Sequence, residues 1–132
     1  MFESAIPVIQ VSDSFAAEKF YCNALGFRLL SSWRPDQAKA DPRYMTLARD
    51  GARLHVHSFQ SGTLGAAAVY VFVDDLDSLY AELTSNGVTV SGPPIDQTWG
   101  TREIVVRDAD RNVVTFGQKH KASDSPPLNL ER

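Results

Sequence analysis

"VSDSFAAEKFYCNALGFRLL", residues 11–30, and "VDDLDSLYAELTSNGVTV", residues 73–90, run in one order: strand end, Asp, helix, Gly, strand. In the first, Asp13 or Ser12 stands where an N-cap is needed. Phe15, Phe20 and Leu25 recur at helical intervals, and Gly26 stops the helix. In the second, Leu76, Leu79, Tyr80 and Leu83 share one helix face before Asn86-Gly87. The flanks repeat as well. "AIPVIQV" and "AAVYVFV" are apolar strands ahead of the helices. Behind the first helix come "FRLLSSW", "RYMTLAR" and "ARLHVHSF", the last two joined by Asp50-Gly51, a strong hairpin signal. Behind the second come "VTV", "REIVVR" and "NVVTFG", the last two joined by "DADR". "LARDGARLHVHSF" and "VVRDADRNVVTFG" match in the same way. The chain is therefore an internal repeat of about 60 residues, each half β-α-β-β-β, in the α+β class. One such half covers only one face of its sheet with a helix. The other face needs a partner half or a ligand.

The 132 residues are enough for one domain that hides roughly two thirds of its unfolded surface. We place the domain at residues 1–118, with a first module over about 4–60 and a second over about 66–118. Residues 119–132, "KHKASDSPPLNLER", read as a polar tail or an arm laid on a partner, and His120 in it as solvated. With 43% hydrophobic and 22% charged residues the chain is of the soluble globular type, with no run long enough to span a membrane. The start lacks a signal-peptide pattern, so the cytoplasm is the expected location. The net charge of −3 with no basic stripe argues against nucleic acid and favours a cationic ligand. A single cysteine, Cys22, excludes an internal disulfide and is expected to be an inert helix thiol.

The chemistry-bearing residues are few. In "RLHVHSF", residues 53–59, His55 and His57 share one face of a strand and Leu54 and Val56 the other. Two imidazoles some 6–7 Å apart along a strand suit chelation, but a catalytic metal needs about three protein ligands, and a third would have to come from elsewhere, with Glu103 and Asp96 as candidates. We expect no metal and no cofactor, and read the pair as polar rungs of a groove. Gly62 and Gly65 lack the Lys-Ser/Thr of a phosphate-binding loop. The stronger signal is aromatic. Trp33, Tyr44, Tyr70, Phe72 and Trp99 lie on or beside strands. By alternation Tyr70 and Phe72 share a face, while Val69, Val71 and Val73 face a helix. Such rings suit stacking on a flat ligand, with cation–π help if it is charged.

With "AIPVIQVSD", "FYCNALGF", "LARDGARLHV", "VYVFVDDLDSLYAEL" and "WGTREIVVRDADRNVVTFGQ", the chain resembles the vicinal oxygen chelate superfamily of glyoxalase I, extradiol dioxygenases, fosfomycin-resistance enzymes and bleomycin-resistance proteins, over residues 4 to about 118. The Trp-Gly-x-Arg-Glu stretch points to the bleomycin-resistance branch. The resemblance implies two βαβββ modules whose sheets form a cup-shaped groove. The places of the superfamily's metal ligands fall on Ile6, His55, Ala68 and Thr115, of which only His55 suits a metal. It implies a non-catalytic homodimer that sequesters a bleomycin-type drug or another flat, cationic small molecule and so confers antibiotic resistance. The family's stacking Trp falls on Tyr70, its other groove aromatics on Tyr44 and Trp99, a groove Ser on His57, and its hinge for an exchanged N-terminal segment on Pro7. The ligand-binding set is thus Tyr70, Trp99, Tyr44, Trp33, His57, His55 and Phe72. The competing reading is a metal-dependent lyase, transferase or dioxygenase built on His55, His57 and Glu103.

Overall fold

The computed structural model describes residues 1–120; the rest of the polar tail expected from the sequence lies outside the described residues. Strand β1 (Val8–Gln10) leads into helix α1, an α-helical turn over Ser14–Glu18 that widens into a π-helical stretch over Lys19–Ala24. Then come β2 (Arg28–Trp33), β3 (Tyr44–Arg49) and β4 (Ala52–His57). The second round is β5 (Ala68–Phe72), α2 (Leu76–Ser85), β6 (Ile95–Asp96), β7 (Thr101–Arg107) and β8 (Val113–Lys119). The two four-stranded sheets have one plan, β1-β4-β3-β2 and β5-β8-β7-β6, as the repeat requires.

Two compact units result. One holds residues 1–69 with the hairpin tip 107–113; the other holds residues 70–106 and, among the described residues, 114–120. In the first unit β1 pairs in parallel with β4, and β4-β3-β2 is an antiparallel ladder. Asp13 caps α1, its carboxylate accepting from the N–H groups of Phe15 and Ala16 at 3.0 and 3.1 Å. The apolar face of the sheet (Ile9, Met45, Leu47, Leu54, Val56) is buried together with Tyr21 and Leu25 of the helix and its end. Burying such a side chain contributes about 1.5–3 kcal/mol, so this face holds the unit together. The Tyr21 hydroxyl donates to Asp108 at 2.8 Å, and Asn112 ties Asp108 to the Gln10 carbonyl. Burial first, then the Asp108 charge, pushes the Tyr21 phenol far above its usual range. Half-buried Cys22 has its thiol pushed up by burial, with Glu18 adding and Arg43 opposing.

In the second unit the buried residues are Ile104, Val106, Val114 and Phe116 with Leu76, Leu79 and Leu83 of α2. Asp75 caps α2 by accepting from Ser78 N–H. "VTV" does not form the expected strand: only Val90 bridges to Val106, and the short pairing strand is Ile95–Asp96. Gly87 and Gly92 at positive φ and the Pro93-Pro94 pair break the run between them.

Candidate functional site

On the face of the first sheet away from the helix, register sets Trp33, Tyr44, His57 and Gln10 in one cross-strand row, and Ser31, Thr46, His55 and Val8 in the next. Tyr44 stacks on His57 with ring centroids 5.4 Å apart and planes 3° from parallel. The Tyr44 hydroxyl is 3.0 Å from Nδ1 of His55. Phe59 N–H donates to Nδ1 of His57 at 3.1 Å. His57 is 8% exposed, and its burial holds the imidazole below its ordinary pKa. Trp33, on the edge strand, stacks on Phe59 at 5.9 Å. Both histidines thus have a nitrogen engaged, and His57 has little surface left. Ile6 lies ahead of β1, Ala68 opens β5 and Thr115 lies within β8. Among the described residues no three His, Cys, Asp or Glu side chains form a metal-ligating group.

The second unit carries a groove of about 590 Å³ lined by Tyr70, Phe72, Trp99, Gly100, Thr101, Lys119 and His120. Strand alternation puts Tyr70 and Phe72 on the open face of β5, 43% and 59% exposed, while Val69 is buried on the other. Their rings lie 4.9 Å apart. Gly117 on neighbouring β8 leaves room for the Tyr70 ring. A Cβ there would overlap the Tyr70 hydroxyl and lie 2.5 Å from Cζ. The hydroxyl reaches Glu103 on β7, donating to Oε2 at 2.7 Å. Trp99 Nε1 and Thr101 Oγ1 donate to the same oxygen at 3.0 Å each. Gly100, at φ 93°, makes the turn that presents Trp99 (59% exposed), closed by Gln97 N–H to the Thr101 carbonyl at 2.7 Å. Burial raises the Glu103 pKa, but the bonds from Tyr70, Trp99 and Thr101 outweigh it and hold the carboxyl below its usual range. The Tyr70 phenol is pushed up by burial and by the Glu103 bond. Three donors on one ionised oxygen make Glu103 a hub that fixes two aromatic rings, since charge-assisted hydrogen bonds are the strong ones.

Of the residues named from sequence, Tyr70, Phe72 and Trp99 line one groove. Trp33, Tyr44, His55 and His57 form a row-and-stack on the first sheet instead. Two expectations change. His120 is not solvated: its side chain is 11% exposed, and Nε2 is buried without a hydrogen-bond partner, 3.7 Å from an Asp96 oxygen that also pairs with Arg102. Its backbone N–H is held by the Gly100 carbonyl at 3.0 Å. Strand β8 also runs through Lys119, so the tail begins later than the apolar pattern ends. The groove's charged lining residue is a cation, Lys119, whose Nζ sits 4.9 Å above the Phe72 ring. Glu103, Thr101 and Lys119 come together with Tyr70 from β7 and β8, a juxtaposition that period-2 alternation along β5 alone does not reveal.

Each unit is a βαβββ module with one helix-covered face, and the second presents a groove walled by aromatic rings. A family model described as Glyoxalase/Bleomycin resistance protein/Dioxygenase superfamily matches residues 5–116, and the chain belongs to that superfamily. It is 24% identical over 137 residues to a bleomycin resistance protein of Geobacillus stearothermophilus, covering 89% of this chain and 98% of that one. Its structure is similar to that of TnmS3, an antibiotic binding protein from Streptomyces sp. CB03234, at 29% identity and TM-score 0.69, with 90% and 98% of the two chains covered. It shares its fold with a bleomycin-binding protein complexed with bleomycin, at 21% identity and TM-score 0.69, covering 90% of this chain and 100% of that one.

Proposed function

We propose that this protein binds a flat aromatic small molecule of the bleomycin or related antibiotic type in the groove of its second unit. It holds that molecule unaltered, as a homodimer, and confers resistance by sequestration. The observation that carries this is the exposure of three large rings around one concave space. Tyr70, Phe72 and Trp99 stay 43–59% exposed. Two of them are clamped by hydrogen bonds to one carboxylate. Folding gains nothing from leaving such surface wet, whereas a ligand site of a few hundred cubic ångströms is typically apolar with a few placed polar groups. Rings fixed in advance lose little freedom on binding, which favours affinity. The relatives named as bleomycin resistance and antibiotic binding proteins support the same reading. Sequestration fits the hub's chemistry: the Glu103 oxygen is occupied by three donors, an arrangement that orients rings and does not free a base. The exposed Val8 and Trp33 on the open face of the first sheet support pairing with a second copy.

The test is calorimetric titration with bleomycin and with anthraquinone-2-sulfonate, each ligand re-isolated afterwards. Saturable binding of at least one, recovered unchanged, is the expected result. Absence of binding by both overturns the reading, and conversion of the ligand would make the protein an enzyme.

A further inference from the structure

The charged side chain that lines the groove is a cation, although the chain as a whole is acidic. The net charge is −3, yet among the described lining residues the fixed charge is that of Lys119. Its ammonium rests over the Phe72 ring at 4.9 Å. Among the described residues no carboxylate lies within ion-pair distance of it. The nearby acids are engaged elsewhere. Asp96 pairs with Arg102 Nε at 3.1 Å, and Glu103 spends Oε2 on Tyr70, Trp99 and Thr101. An ammonium left over an exposed aromatic ring beside a concave apolar wall keeps donors for a group that the described residues do not supply.

Resting on the reading of this groove as a ligand site, we infer that its ligand is a planar aromatic bearing an anionic substituent, a carboxylate, sulfonate or ionised phenol, with Lys119 as the residue that selects for it. A ring system stacked against Phe72 and Trp99 carries a substituent past the Lys119 ammonium. An anion there completes an ion pair, and a cation there meets a like charge. Lys119 is therefore a specificity determinant, while the aromatic wall supplies affinity regardless of charge.

The test holds the ring constant and changes only the charge: anthraquinone-2-sulfonate, 2-(hydroxymethyl)anthraquinone and 2-(aminomethyl)anthraquinone as its ammonium. An exposed ion pair is worth up to about fivefold in affinity, and like-charge placement costs a similar factor. Wild type should rank sulfonate over alcohol over ammonium, with about a tenfold span between the ends. Lys119→Gln should bring the sulfonate-to-ammonium ratio to about one, Lys119→Arg should keep the order, and Lys119→Glu should invert it. Raising salt should narrow the wild-type span. An ammonium probe that binds wild type as well as the sulfonate overturns the inference and leaves the groove assignment standing. Retention of the full span in Lys119→Gln also overturns it, since the selection would then come from another group. If none of the three probes binds, the inference falls, and the groove assignment falls with it when bleomycin also fails to bind.

Discussion

Gly117→Ala separates the groove's geometry from the protein's stability. Gly117 is not at positive φ, so its backbone accepts alanine. The added Cβ, however, would overlap the Tyr70 hydroxyl and lie 2.5 Å from Cζ and 2.8 Å from Cε1. The ring is on an open face and 43% exposed, so it can swing outward without disturbing the core. Doing so breaks its bond to Glu103, a loss of about 1 kcal/mol. Alanine regains about 0.4–1 kcal/mol by restricting the unfolded chain. The melting temperature should move by only a few degrees. Binding should suffer far more. Displacing a hot-spot aromatic costs about 2 kcal/mol, or roughly thirtyfold. Tyr70→Ala should cost the same, and the double variant no more than either, because both remove one interaction. The assay is calorimetric titration with anthraquinone-2-sulfonate, with thermal melts of each variant. A folded Gly117→Ala protein that binds like wild type, or costs that add in the double variant, would refute the placement of Tyr70 in the site.

Glu103 adds a pH signature. Its carboxyl is held below its ordinary pKa of 4.5, so its contribution to stability is present above that value and lost as pH falls through the depressed one. The melting difference between wild type and Glu103→Gln should hold at neutral pH and shrink on the acid side of 4.5; a difference growing toward acid would contradict the hub. Sedimentation equilibrium should give a dimer at micromolar chain concentration, since obligate pairs commonly bury more than about 2,000 Å²; a monomer there would remove the homodimer from the proposal. Because Tyr44 and Phe59 engage one nitrogen each of His55 and His57, dialysed protein should hold far less than one transition metal per chain by elemental analysis. A tightly bound metal on these histidines and a third side chain would reinstate the enzymatic reading.

The architecture was legible because its signals are local and occur twice. Asp13 and Asp75 cap their helices as the strand-end motif implied, and Gly26 and Gly87 end them at positive φ. Period-2 alternation alone placed Tyr70 and Phe72 opposite Val69. What could not be read depends on neighbours distant in sequence. The Glu103 hub needs Tyr70 from β5, Trp99 from the turn and Thr101 from β7 to meet at one oxygen, and the glycine that permits it sits on a fourth segment. His120 carries no pattern of its own and is fixed by the Gly100 carbonyl. The π-helical stretch over Lys19–Ala24 keeps helical spacing in sequence, so nothing in the order of residues distinguished it from an ordinary helix. Net charge averages a surface of which the groove is a small part, so it carried no signal for the Lys119 cation that lines it.

The most direct test of the central claim uses Trp99 as its own reporter. The chain has two tryptophans, so Trp33→Phe leaves Trp99 as the sole indole. This variant is titrated with bleomycin and with anthraquinone-2-sulfonate while Trp99 emission is followed, and the ligand is recovered for mass spectrometry. The account predicts saturable quenching at one site per chain by at least one of them, with the ligand's mass unchanged. Unaltered Trp99 emission throughout both titrations, or a ligand recovered as a product, would contradict it.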